Sequence, residues 1–156
     1  MTGLAIAILG AALCAALAGI GSAYGVQAAG KAAAGVTAEK PELFGKCLIL
    51  QALPGTQGIY GFLVAILILV QVGLLGGNAL DLTVSQGWSF FFAGLPIGIV
   101  GLLSGMYQGN TAAAAIHMTA RQPDASAKGI TMTALVETYA ILAVLVSILL
   151  LYGIPL

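Results

Sequence analysis

The chain has 156 residues, 60% of them hydrophobic, and its five basic and five acidic side chains leave no formal net charge. So little charge excludes a soluble globule, whose surface needs far more, and offers no basic tract for a nucleic acid. Cys14 and Cys47 lie in apolar sequence without the spacing of a metal site or the density of a disulfide scaffold, and read as packing residues.

Four runs, 1–30, 47–80, 82–120 and 129–156, hold almost no ionisable side chain besides His117 and Glu137. A helix needs about 20 apolar residues to cross about 30 Å of hydrocarbon, so each run predicts a membrane span. Helices are expected near 3–33, 43–75, 86–119 and 125–153. The first run, MTGLAIAILGAALCAALAG, has no basic leader and reads as a retained span rather than a signal peptide. It carries Gly21, Gly25 and Ala29 at four-residue spacing, a face on which backbones can approach closely. GIGSAYG at 19–25 follows no strand and has no phosphate-binding lysine, so no nucleotide site is expected.

The second span contains LPGTQGIYG, residues 53–61. Thr56 and Tyr60 share a helix face that Gln57 borders. Pro54 lacks an amide hydrogen and crowds the preceding turn, so it is expected to bend the helix and free a nearby carbonyl. The third span repeats the small-residue spacing at Gly94 and Gly98, then at Gly101, Gly105 and Gly109, and adds Ser104 and Gln108. Glycine faces on these two helices predict a tightly packed inner wall shared by many copies of the chain. His117 lies near the charged end of this span and reads as an interfacial residue, as do Trp88 and Tyr152 at the opposite end.

The fourth span, TMTALVETYAILAVLVSILLLYG, places Glu137 inside an apolar helix. A charged side chain at a helix centre costs about 2.5–3.5 kcal/mol on insertion scales. No basic residue of this chain lies at that depth, so Glu137 must take a proton, bind a cation or meet a positive group on another subunit. Thr56, Gln57 and Gln108 offer neutral oxygens at nearby depth, and hard cations prefer oxygen. That donor set favours a monovalent cation, Na+, over H+. A protonated glutamic acid held by side-chain amides is the competing reading, and a purely structural one is the third.

Lys31, Lys40, Lys46, Arg121 and Lys128 all flank the 1–2 or the 3–4 connection, which places both connections in the cytoplasm. A shift of 82 residues superposes Pro41 on Pro123, Lys46 on Lys128, Ala52-Leu53 on Ala134-Leu135, Thr56 on Thr138 and Leu63-Val64 on Leu145-Val146. The expected architecture is therefore an all-α membrane protein of four transmembrane helices in two tandem hairpins. Residues 1–78 form the first hairpin and 83–156 the second. The position matching Glu137 is Gly55, so the carboxylate occurs once per four helices.

These features, and above all LPGTQGIYG and VETYAIL in the second and fourth spans, resemble the rotor-ring proteolipid of V-type ATPases, called subunit K in bacteria and proteolipid c in eukaryotes. The bacterial sodium-translocating form is the most similar. The resemblance implies a homomeric ring in a bacterial cell membrane that carries one ion per copy. Na+ would be held by Glu137, Thr56, Gln57, Gln108 and the Leu53 carbonyl, with Tyr60 closing the site on the carboxylate. It also implies a membrane stator subunit bearing an arginine, central-stalk subunits of a soluble ATPase sector, lipid around the ring, and no catalysis by this chain. H+ as the coupling ion is the alternative. A self-contained channel or secondary transporter is the rival class, for which the sequence offers no polar path to either side.

Overall fold

A computed structural model describes residues 2–156, and every regular element among them is helical. Helix α1, Gly3–Glu39, begins at Thr2, whose hydroxyl accepts a hydrogen bond from the Ala5 amide. It runs on through Lys31 to Glu39, because the alanines at 32–34 favour continued helix. Pro41 then forces Lys40 out of the helical region, and a 3-10 turn, Pro41–Leu43, leads into α2, Phe44–Ala52. A second 3-10 turn, Leu53–Gly55, separates α2 from α3, Thr56–Gln71. The bend expected at Pro54 is this turn.

Helix α4, Val84–Arg121, starts at a capping box in which the Thr83 hydroxyl accepts from the Gln86 amide and the Gln86 side chain accepts from the Thr83 amide. The turn Pro123–Ala125 precedes α5, Ser126–Tyr152. The four segments Gly3–Glu39, Pro41–Gln71, Val84–Arg121 and Pro123–Tyr152 are each long and apolar enough to cross a membrane. The chain is an integral, multi-pass membrane protein.

The two charged connections lie together. The Lys40 ammonium donates to the Ala120 carbonyl at 2.5 Å, near the C-terminus of α4, and Lys46 donates to the Pro123 carbonyl at 2.8 Å. At the other end, Gln71 donates to the Leu151 carbonyl and Gln86 to the Pro155 carbonyl. Between α3 and α4 the chain turns through Gly73 and Gly77, whose φ values of 75° and 74° suit glycine.

Helices α1 and α4 are packed backbone to backbone. A methyl group on Gly105 would lie 2.6 Å from the Gly21 carbonyl carbon, and one on Gly21 would lie 2.6 Å from the Gly101 oxygen. Gly109 and Gly25 exclude a methyl group in the same way. The glycine faces therefore meet each other inside one copy of the chain. Around this seam, Cys14, Val64, Ile68, Phe90, Ile97 and Ala140 form one buried cluster, and Cys47, Leu50, Ala112 and Ile116 a second.

Candidate ion-binding site

Glu137 sits well inside α5, about 17 Å of helix rise from Ser126 and about 23 Å from Tyr152. Its side chain is half-buried, and its Oε1 accepts a hydrogen bond of 2.5 Å from the Tyr60 hydroxyl on α3. Tyr60 and Glu137 belong to different hairpins, so this bond bridges the two halves of the chain.

One turn nearer the charged connections, Gln57 and Gln108 are fully buried. Gln57 Nε2 donates to Gln108 Oε1 at 2.5 Å and to Ser104 Oγ at 3.2 Å. Gln108 Nε2 donates in turn to the Thr133 carbonyl at 3.1 Å, and Ser104 Oγ to the Val136 carbonyl, also at 3.1 Å. Buried amides are tolerated when their hydrogens find acceptors, and among the described residues every buried side-chain nitrogen and oxygen has a partner. The network ties α3, α4 and α5 together one turn before Glu137.

Thr56 completes the arrangement. Its hydroxyl donates to the Leu53 carbonyl at 3.1 Å and approaches Gln57 Oε1 at 3.4 Å. The Thr56 backbone amide donates to the same Leu53 carbonyl, closing the 3-10 turn. The carbonyl expected to be free beside Pro54 is thus engaged by its own turn. It still faces the same local cluster as Thr56 and Gln57.

The structure therefore brings Leu53, Thr56, Gln57 and Gln108 into one cluster, with Thr56 bonded to Leu53 and Gln57 to Gln108, and joins Tyr60 to Glu137 beside it. The sequence had not indicated the Thr133 and Val136 carbonyls, because backbone acceptors carry no residue signature. It also gave little weight to Ser104, which connects Gln57 to α5. His117 is exposed and lines a hollow of about 450 Å³ with Glu39, Lys40 and Arg121, at the charged end of the molecule and apart from Glu137. Trp88 is exposed and stacks with Phe92, while Tyr152 is exposed at the end of α5.

Two helical hairpins in the membrane, sharing one half-buried carboxylate among neutral oxygens, define a proteolipid of the kind that forms the membrane part of rotary ATPases. Comparison with known proteins makes this specific. The family model described as the C subunit of ATP synthase matches the chain twice, over residues 9–68 and 91–150, and the chain belongs to that family. It is 49% identical to the V-type sodium ATPase subunit K of Enterococcus hirae, over 95% of this chain and 91% of that one. It is 46% identical to the A-type ATP synthase subunit K of Methanocaldococcus jannaschii, over 92% of this chain and 61% of the relative. The 16 kDa proteolipid of the human V-type proton ATPase is 33% identical, over 75% of this chain and 72% of its own length.

Proposed function

We propose that the chain is a rotor-ring subunit of a V-type ATPase that carries one Na+ per copy at Glu137, held with Thr56, Gln57, Gln108 and the Leu53 carbonyl and closed by Tyr60. The single observation behind this reading is Glu137 itself, deep in α5, bonded to Tyr60 and one turn from a buried cluster of neutral oxygens. The names of the relatives divide between sodium and proton, so the choice of ion rests on the donors. Gln57 directs its amide hydrogens to Ser104 and Gln108, and Gln108 directs one to Thr133. Those three hydrogens are directed at groups other than Glu137, which favours a cation held by oxygens over a neutral acid held by amides.

The ion is cargo. A loaded site is nearly neutral and can face hydrocarbon, whereas an emptied one leaves a carboxylate that is costly there. In the proposed ring, a copy loses its ion only beside a stator subunit whose arginine offsets the exposed charge, and reloads from the opposite side of the membrane. ATP hydrolysis in a soluble sector, coupled through central-stalk subunits, turns the ring. This chain binds and carries the ion and does not hydrolyse nucleotide. We place the two charged connections in the cytoplasm of a bacterial cell; Lys31, Lys40, Lys46, Arg121 and Lys128, which flank those connections, support this orientation.

The test is carbodiimide labelling of Glu137 in purified rings, with sodium compared against potassium at matched ionic strength. The reagent attacks the protonated acid, and Na+ and H+ neutralise the same carboxylate, so their occupancies oppose each other. Labelling should fall as pH rises, and millimolar sodium should slow it most where protons are scarce. Equal labelling in sodium and potassium at every pH would assign the site to H+.

A further inference from the structure

A side-chain amide can turn either its oxygen or its nitrogen toward a ligand, and only the oxygen can hold a cation. For Gln57 the choice is made by two backbone carbonyls of α5. The Thr133 carbonyl can only accept, so Gln108 presents Nε2 to it at 3.1 Å and is left with Oε1 facing Gln57. The Val136 carbonyl likewise takes the one hydrogen of the Ser104 hydroxyl, at 3.1 Å, which leaves Ser104 Oγ an acceptor toward Gln57. Both relays end in oxygens aimed at the same group. Gln57 must meet them with Nε2, at 2.5 Å and 3.2 Å, and its Oε1 turns the other way, toward the Thr56 hydroxyl.

Burial makes this choice binding. Ser104 is buried and Gln57 and Gln108 are fully so, which leaves no bulk solvent to satisfy an amide turned the wrong way. Ser104 and Gln108 stand one turn apart on α4 and so reach Gln57 from the same face. The 82-residue repeat matches Ser104 with Ser22, whose oxygen accepts from the backbone amide of Gly58 at 2.7 Å. Of this matched pair only Ser104 meets a side-chain amide, and it does so in the hairpin that carries Glu137.

We infer that Ser104 is a specificity-determining positioning residue, which passes the polarity of the Val136 carbonyl to Gln57 and so holds the Gln57 oxygen toward a metal cation. The inference rests on the sodium reading and adds to that site a residue that is not itself a ligand. Removing the hydroxyl leaves one Gln57 hydrogen without an acceptor in a buried place, and the amide regains the freedom to turn that hydrogen toward the oxygens of the site. A positive hydrogen there opposes Na+. The proton that competes for Glu137 is held at the carboxylate, whose bond comes from Tyr60 and not from Ser104. Loss of Ser104 should therefore weaken sodium binding and spare proton binding.

Carbodiimide labelling of Glu137 in purified rings tests this with Ser104→Ala. The sodium concentration that halves labelling should rise roughly three- to tenfold, the size expected for one lost hydrogen bond, while the pH that halves labelling in potassium stays at the parent value. Ser147→Ala is the control, since Ser147 is also buried and accepts from the Ile97 amide across the same two helices, but lies about three turns beyond Glu137. It should move neither quantity. A parent-like sodium requirement in Ser104→Ala, equal shifts in sodium and pH, or the same sodium shift in Ser147→Ala would overturn the role of Ser104 and leave the sodium reading standing. Absence of sodium protection in the unmodified ring would overturn the sodium reading itself, and this inference with it. If Ser104→Ala yields no ring, electron cryomicroscopy of the unmodified, sodium-loaded ring decides: a Gln57 amide within hydrogen-bond reach of Ser104 supports the inference, and one turned away from it contradicts it.

Discussion

Replacing Gly105 by alanine should loosen the α1–α4 seam, and the structure sets the size of the effect. The new methyl carbon would lie 2.6 Å from the Gly21 carbonyl carbon, 2.8 Å from its oxygen and 2.9 Å from the Ser22 nitrogen. All three are backbone atoms of a helix and cannot swing aside. An ordinary contact begins near 3.4 Å, so α1 and α4 must part locally by about 0.8 Å. A gap of that order forfeits roughly a quarter to a half of each nearby dispersion contact, and overpacking of this kind costs about 1–3 kcal/mol. Alanine also gains about 1 kcal/mol over glycine in helix propensity, so the right comparison is Gly35→Ala, where nothing lies within 4 Å of the new methyl group. The difference between the two variants isolates the packing term. It should appear as a shift to lower dodecyl sulfate in micelle unfolding, followed by fluorescence of Trp88, the single tryptophan. Coincident unfolding curves for Gly105→Ala and Gly35→Ala would mean that the close approach of these helices contributes nothing to stability.

Glu137→Gln keeps the shape of the side chain but removes its charge, so reconstituted complexes should lose ion transport while ring yield stays near the parent value; transport at the parent rate would exclude Glu137 as the carrier. Gln108→Ala removes the acceptor of Gln57 Nε2 and should destabilise the chain by about 1–3 kcal/mol, besides raising the sodium needed to protect Glu137 from carbodiimide. Tyr60→Phe deletes the bond to Glu137 without opening a large cavity, and should speed release of bound ²²Na+ from isolated rings more than it changes ring stability. Lys46→Met removes a partly exposed bond between the connections, and solvent screening limits its effect to under about 1 kcal/mol in the same unfolding assay.

The spans were legible because length and apolarity alone define them, and the observed helix ends fall close to those expected except where the alanines prolong α1. The prolines inside the second and third spans, Pro54 and Pro96, divided differently. Pro54 breaks its helix, with Gly55 following and the Thr56 hydroxyl turned back onto the Leu53 carbonyl. Pro96 leaves α4 continuous, and the Ile97 amide donates to Ser147 on α5. Sequence shows the missing amide hydrogen in both cases, but not the neighbour that offsets it. The glycine faces were equally visible as close-packing surfaces, yet four-residue spacing names a face and not its partner. The structure pairs Gly21 and Gly25 with α4 of the same chain. At the site, side-chain type and depth selected Thr56, Gln57, Tyr60, Gln108 and Glu137. The Thr133 and Val136 carbonyls needed the three-dimensional arrangement.

Gly55 gives the proposed rotor its gearing. Each ion advanced requires an arc of four helices instead of two, so a ring of given circumference moves fewer ions per revolution and exerts more work on each. Space does not enforce this ratio, because a side chain begun at Gly55 would meet only Val26, at 3.8 Å. The repeat instead shows how deeply the silent hairpin has been converted: Val26 stands for Gln108, Tyr139 for Gln57 and Leu142 for Tyr60. By this correspondence a carboxylate restored at Gly55 lacks counterparts of the Tyr60 hydroxyl and of the Gln57 and Gln108 amides. The ratio is therefore held by several substitutions together, and no single reversion would change the gear.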